Sequence, residues 1–296
     1  MRRYAIIGDS TCDLNRNLRK QYGIDYIAMN FVMDEKEYTA SLDWEEITAR
    51  TFYDAMRNGS RITTTQVPTE RYARMFRSYL EQDMDILYVS CSSALSGSIN
   101  TARVVARELQ ESFPEAKIFC VDALNSSFGQ GIQLMWASTM RSEGKTIEEV
   151  CEYLEKNRNC VNQVGFVEKL DYLKRAGRVT ASSAFFGNLI GIKPILISDA
   201  KGQNFAVKKV KGMTNAINET VEIVKSRIIE PEGQTIYISH ADAAENAKQF
   251  GQRLKEETGC KDIFIDLIGP IVGASVGPGT LISYYVGEEE TQIGEA

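Results

Sequence analysis

The chain has 296 residues, 43% hydrophobic and 25% charged, the composition of a globular protein long enough for two medium domains or one large one. Its formal net charge of −6, with no basic patch, disfavours nucleic acid or a generic membrane surface as a partner. No apolar run reaches the length of a membrane span and the run after Arg2-Arg3 is too short for a secretory signal, so a cytoplasmic protein is expected.

The first half alternates strand and helix. A strand over 4–8 runs into a polar loop, Asp9 to Asp13, followed by a helix over 14–22 and a strand over 24–32. Helices over 44–57, ended by Asn58-Gly59, and over 69–80, with Thr69 as its cap, precede a strand over 86–90. A hydroxyl-rich turn, a helix over 99–109, a strand over 117–121 and helices over 130–142 and 147–156 complete this half. Such alternation predicts a parallel sheet with helices on both faces, and sheets of that kind take ligands at the carboxyl ends of their strands. Asp9-Ser10-Thr11 and Ser92-Ser93 both sit at strand ends, where they can converge.

From about Gln163 the pattern changes. A strand over 163–167 and a helix over 170–175 end at Gly177-Arg178-Val179. Strands over 192–197 and 203–210 flank Asp199-Ala200-Lys201-Gly202, a hairpin signal. A helix over 214–228, a strand over 236–240, a helix over 243–257 and a strand over 263–267 lead to Gly269-Pro270 and a glycine-rich stretch over 273–279. The hairpin mixed with helices predicts an α+β C-terminal domain over 163–290 after an N-terminal α/β domain over 1–162. The acidic tail from Glu288 onward is expected to be disordered.

Ser92-Ser93-Ala94-Leu95-Ser96-Gly97-Ser98 is the most informative stretch. Strand, hydroxyl-rich turn and helix start together make an anion seat, because the first helical N–H groups lack intrahelical partners. The turn holds no lysine at Walker spacing, which argues against a P-loop, and the simpler reading is a serine that caps the helix. Asp9, Ser10 and Thr11 with Asp13 read either as an active-site acid or polar cleft wall, or as a turn in which Asp13 caps the next helix. Thr63-Thr64-Thr65-Gln66 reads as a second wall of the seat or as a loop before a helix. Lys174 and Arg175 suit the end of a helix dipole, whereas Arg178, just past a glycine, is placed to reach a carboxylate or phosphate. The six cysteines, none in C-x-x-C spacing, read as free thiols, and the single histidine, His240, makes a histidine-based metal site hard to build.

Taken in order, these motifs resemble the DegV family. Gly8-Asp9-Ser10-Thr11-Cys12-Asp13-Leu14 is similar to the D-S-x-x-D-L opening of that family, Thr64-Thr65-Gln66 to its T-S-Q, and Ser92 to Gly97 to its S-S-x-L-S-G. Val121-Asp122-Ala123 with Ser127 to Gly131 resembles V-D-S followed by S-x-G-x-G, and Leu170 to Arg178 resembles L-x-Y-L-K-R-G-G-R with Ala176 for the first glycine of the pair. Gly273 to Thr280 is similar to G-A-H-x-G-P-G-T, with Ser275 in place of the histidine.

The resemblance implies a lipid-binding protein without cofactor or metal that holds one long-chain fatty acid in a tunnel between two α/β domains. It also implies a bacterial partner, the catalytic subunit of a fatty acid kinase, to which the carboxylate is presented for conversion to acyl phosphate and so for phospholipid synthesis. Carried over by motif, Thr64, one or both of Ser93 and Ser96, Arg178 and Ser275 would meet the carboxylate, with Asp9, Ser10, Thr65 and Gly97 as a nearby polar wall. The family histidine lies at the carboxylate end, where this chain has the shorter, uncharged Ser275. No integral membrane segment is implied, which leaves transient membrane contact for lipid exchange. Two rival readings remain. One is a hydrolase or phosphotransferase acting on a small anion, against which stand the absent G-x-S-x-G elbow and nucleotide motif. The other is a regulatory protein that keeps the lipid as structural filler.

Overall fold

A computed structural model describes residues 2–180 and 191–294. Its first half is built from β1 (Tyr4–Asp9), α1 (Arg16–Tyr22), β2 (Ile24–Ile27), β3 (Asn30–Met33), β4 (Lys36–Thr39), α2 (Ala49–Arg57) and β5 (Thr63–Thr65). There follow α3 (Thr69–Leu80), β6 (Asp85–Ser90), α4 (Ser98–Ser112), β7 (Ile118–Asp122), α5 (Phe128–Ser142) and α6 (Ile147–Asn157). Four strands form a parallel sheet in the order β2-β1-β6-β7. Every residue of β1 is buried, and its side chains divide by the two-residue period of a strand. Ala5 and Ile7 join a core under α3 and α4, while Tyr4 and Ile6 join another under α5 and α6. The sheet is therefore covered on both faces, as the sequence pattern predicts.

The strand expected over 24–32 is two strands. After β2 the chain leaves the parallel sheet and enters a small antiparallel one, β4-β3-β5. Asp34 and Glu35 turn the β3–β4 hairpin with φ of 50° and 63°, a primed turn made without the glycine that usually announces it. The threonine run read as a possible loop is β5, with Thr64 opposite Phe31. α2 begins at Ala49, capped by Thr48, later than the helix predicted from residue 44. Thr69 is the first residue of α3 rather than its cap; Pro68 holds that position and makes no side-chain cap bond.

The second half contains β8 (Val161–Phe166), α7 (Asp171–Ala176), β9 (Ile192–Ser198), β10 (Asn204–Lys211), α8 (Met213–Arg227) and β11 (Thr235–His240). It ends with α9 (Ala244–Thr258), β12 (Asp262–Leu267), α10 (Pro270–Val276) and β13 (Leu281–Val286). A mixed sheet runs in the order β10-β9-β8-β13-β11-β12, and only the β11–β12 pair is parallel. Leu281 and Tyr285 face α8 and α9, while Ile282 and Tyr284 face Phe128 of α5, so this sheet packs directly on the first half. The sequence reading missed β13, although it lies between β8 and β11, and also α10, because both are screened by the glycines before them. One of these, Gly273, is needed where it is: a Cβ there would run into the Tyr53 hydroxyl.

The β9–β10 turn forms where predicted. Asp199 Oδ1 accepts from the Lys201 and Gln203 N–H groups at 2.9 Å, and Gly202 takes φ of 76°. A Cβ on Gly202 would meet Ser92 Oγ and the Leu124 backbone, so the hairpin tip rests on the serine turn of the first half. Over residues 288–294 the tail does not behave as expected; 295–296 lie outside the described residues. Glu290 is buried and pairs with Arg227 at 2.5 Å, the Gln292 carbonyl accepts from Ala200 N–H at 2.8 Å, and Gly294 N–H donates to Asp199 Oδ2 at 2.9 Å. These partners lie far back in the chain, so an acidic end-run gave no local sign of them.

Candidate functional site

At the carboxyl end of β6 the chain makes the serine turn and starts α4. The Ser92 carbonyl accepts from the N–H groups of Leu95 and Ser96, each at 3.0 Å, which closes the turn. Ser96 Oγ donates to Ser98 Oγ at 3.0 Å and accepts from Ser98 N–H at 3.3 Å. The N-cap of α4 is Gly97, with no side-chain cap bond, so the serines shape the turn rather than cap the helix. Gln66, from the end of β5, lies over this glycine: a Cβ there would come within 2.8 Å of Gln66 Nε2 and push that side chain aside.

A cavity of about 270 Å³ opens beside this turn. Thr64, Thr65 and Gln66 line one side, Leu95 and Ser96 another, and Arg178 and Ser275 come from the second half. The deeper lining is mostly buried: Thr11, Met29, Cys91, Ser126, Gln163, Asn204 and Ile282, with Ile271, Val272 and Val276 on and around α10. A second cavity of about 210 Å³ shares Thr64, Arg178 and Ser275 with the first and adds Arg61 and Arg175, both exposed. The two cavities thus adjoin at a threonine, an arginine and a serine.

Of the residues singled out from sequence, Thr64, Thr65, Ser96, Arg178 and Ser275 line the first cavity. Ser93 does not. It is exposed, and its N–H donates to Asp122 Oδ1 at 3.1 Å. Asp9 is fully buried behind the wall. Its carboxylate accepts from Thr11, from Tyr88 OH at 2.8 Å and from Cys91 N–H at 3.3 Å, tying the ends of β1 and β6 together. Ser10 is buried too, with its Oγ accepting from Met29 N–H at 2.9 Å where β2 gives way to β3. Gly97 stands at the α4 start, under Gln66. The sequence reading did not find Ser126, Gln163, Asn204 or Ile282, which no local motif marks.

Asp13 does not cap α1; Asn15 does, accepting from Leu18 N–H at 2.9 Å. Asp13 instead accepts from Gly269 N–H at 2.9 Å, joining the first polar loop to the start of α10. Its carboxyl is pushed up to about 7, chiefly by burial, with Asp266 and Asp9 adding to the rise and the Ser127 hydroxyl and Gly269 N–H opposing it. The Cys91 thiol faces the cavity but is raised well above its ordinary value, again chiefly by burial, with the Asp9 charge adding to the rise. A thiol held protonated is a poor nucleophile. His240 lines neither cavity; its Nδ1 accepts from Ala243 N–H at 3.2 Å, and burial lowers its pKa. Among the described residues no group of three or more His, Cys, Asp or Glu side chains is arranged to hold a metal ion, and no helix is long and apolar enough to cross a membrane.

Hydroxyls and a guanidinium at one end of a largely buried cavity suit an amphipathic molecule with an anionic head. The family model described as "Uncharacterised protein, DegV family" matches residues 3–286. The chain belongs to the DegV family. A DegV domain-containing protein of Clostridium perfringens is 35% identical over 288 residues, covering 97% of this chain and 99% of the relative. Among solved structures, the fold is similar to that of a DegV lipid-binding protein from Thermotoga maritima, with a TM-score of 0.85, 28% identity, and coverage of 98% of this chain and 100% of that one. It is also similar to a DegV family protein from Thermus thermophilus described by its fatty acid binding, with a TM-score of 0.85, 27% identity, and coverage of 96% and 99%.

Proposed function

We propose that this DegV protein is a cytoplasmic carrier, not an enzyme, that binds one long-chain fatty acid between an N-terminal lobe over 1–162 and a C-terminal lobe over 163–290. The observation that carries the reading is the convergence of Thr64, Ser96, Arg178 and Ser275 on one cavity whose deeper lining includes Met29, Ile271, Val272, Val276 and Ile282. The carboxylate is held at the polar end and the acyl chain lies inward. Each buried methylene contributes about 0.8 kcal/mol, so a sixteen-carbon chain gains roughly 11 kcal/mol gross, less the cost of association and ordering. Hydroxyl donors and Arg178 offset the desolvation of the carboxylate. The fatty acid and lipid binding described for the Thermus and Thermotoga proteins supports the same ligand class.

The second part of the reading is that the bound carboxylate is presented to the catalytic subunit of a separate fatty acid kinase, which forms the acyl phosphate. It is supported by the adjoining cavity, where Arg61 and Arg175 stand beside Thr64, Arg178 and Ser275 and offer positive charge to a phosphoryl group arriving at the head-group end. No metal, nucleotide or other cofactor is required of this chain.

Organic extraction of the purified protein followed by mass spectrometry tests the first part. About one long-chain fatty acid per chain is expected after expression in a host that makes such acids. Trace amounts, together with no uptake of added fatty acid by the stripped protein, would sink the reading.

A further inference from the structure

Two buried amides in the deeper wall act on a residue of the polar end. Gln163 in β8 and Asn204 at the start of β10 both line the cavity and are 3% and 9% exposed. Gln163 Nε2 donates to Asn204 Oδ1 at 2.9 Å, and Asn204 Nδ2 donates to the Arg178 carbonyl at 3.0 Å. The Asn204 carbonyl accepts from Thr180 N–H at 2.8 Å, and Ala206 N–H donates to the Thr180 carbonyl at 3.1 Å. The order of donors fixes the geometry. With Asn204 Oδ1 occupied by Gln163, the Asn204 amide nitrogen is the group that must face Arg178.

Arg178 needs such support. It is exposed, follows Gly177 in the left-handed region, and lies outside any helix or strand. Thr180, two residues on, meets the sheet through an isolated bridge with Phe205 rather than as part of a strand. The Arg178 side chain is held separately, by Nε donating to the Leu95 carbonyl at 2.9 Å. Its Nη1 also donates to the Ala176 carbonyl and its N–H to the Leu173 carbonyl at 3.1 Å, so the Asn204 amide adds the hold on the Arg178 carbonyl, while the serine turn holds the guanidinium from the first half. We propose that Gln163 and Asn204 are positioning residues for Arg178, and that through it they set the preference of the cavity for an anionic over a neutral head group. Releasing the Arg178 carbonyl from Asn204 would loosen the cation and make it bear more of the entropy of ordering at each binding event.

The proposal rests on the fatty-acid reading of the cavity, and the test separates the two. Stripped protein is titrated with hexadecanoic acid and, in parallel, with hexadecanol. Asn204→Ala is expected to weaken the acid by about tenfold while leaving the alcohol nearly unchanged. In an Arg178→Ala background the same substitution should then have little further effect on the acid. Gln163→Met, which keeps bulk but removes the donor, should act in the same direction and decides the matter if Asn204→Ala does not fold. Equal loss of acid and alcohol, no loss of either, or full additivity with Arg178→Ala would overturn the positioning role alone. Wild-type protein that binds neither ligand would overturn the fatty-acid reading and this role with it.

Discussion

Arg178 Nε donates to the Leu95 carbonyl across 83 residues of sequence, at 2.9 Å. This bond brings Arg178, the one cation among the described residues that line the 270 Å³ cavity, onto the turn that carries Ser96. The serine turn comes from the parallel sheet and Arg178 from the segment after α7, so the polar end is completed only when the two halves meet. Arg178→Ala is expected to weaken fatty-acid binding roughly ten- to hundredfold, the range for a lost bond to a charged group. Arg178→Lys should recover part of it, since an ammonium keeps the charge but cannot reproduce the planar fork. Equilibrium titration of stripped protein reads both, and unchanged affinity in Arg178→Ala would remove it from the site.

The two serines carried over from the family motif should separate. Ser96 lines the cavity, whereas Ser93 is exposed and engaged through its backbone with Asp122. Ser96→Ala is expected to weaken binding by about 0.5–1.5 kcal/mol for a neutral-like bond, or about 1.5–3 kcal/mol for a charge-assisted one. Ser93→Ala should leave it unchanged. Because Ser96 also bonds Ser98, a thermal melt must accompany the titration. The reverse ranking would move the head group to the outer side of the turn.

The legible parts of this molecule are those whose signal is local. The parallel sheet follows from short apolar runs such as Ile86 to Val89 between amphipathic helices, and the polar end from hydroxyls at strand ends. The illegible parts depend on pairing at a distance. Gln163 reaches the cavity because β8 lies beside β13, with Gln163 opposite Tyr284, and Asn204 because β10 pairs with β9. β13 itself was hidden by the glycines before it, and the β3–β4 hairpin by a turn of Asp34 and Glu35 that accepts positive φ without glycine. The tail reads as solvated charge until Arg227 is seen beside Glu290.

Asp13 predicts how stability depends on pH. In the unfolded chain its carboxyl ionises near 3.8, but in the folded protein it keeps its proton up to about 7. Between these values the native state binds the extra proton, so stability falls as pH rises through the window and the full cost of the buried charge remains above it. An asparagine keeps an acceptor for Gly269 N–H and tolerates the φ of 51° found here. Asp13→Asn should therefore match wild type near about pH 4 and exceed it by a few kcal/mol at most at about pH 8. Denaturant midpoints at the two pH values check this, and parallel curves for the two proteins would contradict it.

Ser275 gives a prediction of the opposite kind, a titration absent from wild type and introduced by mutation. It stands on α10, half-buried, and lines both cavities at their junction, at the motif position where the family resemblance implies a histidine. Serine offers the carboxylate a hydroxyl without titrating. His240 does not take the place of that histidine, since it lines neither cavity. Asp13, whose carboxyl is pushed up to about 7, lines neither cavity either, so fatty-acid affinity of the wild type should be flat between about pH 5.5 and 8, above the titration of the free acid. Ser275→His places an imidazole at the head-group end, and a neighbouring carboxylate favours its charged form. Affinity of that variant should rise as pH falls through about 6.5 and be near the wild-type value at the alkaline end. A steep pH dependence already present in the wild type would put another titrating group at the carboxylate, and a flat profile in Ser275→His would place the head group away from α10.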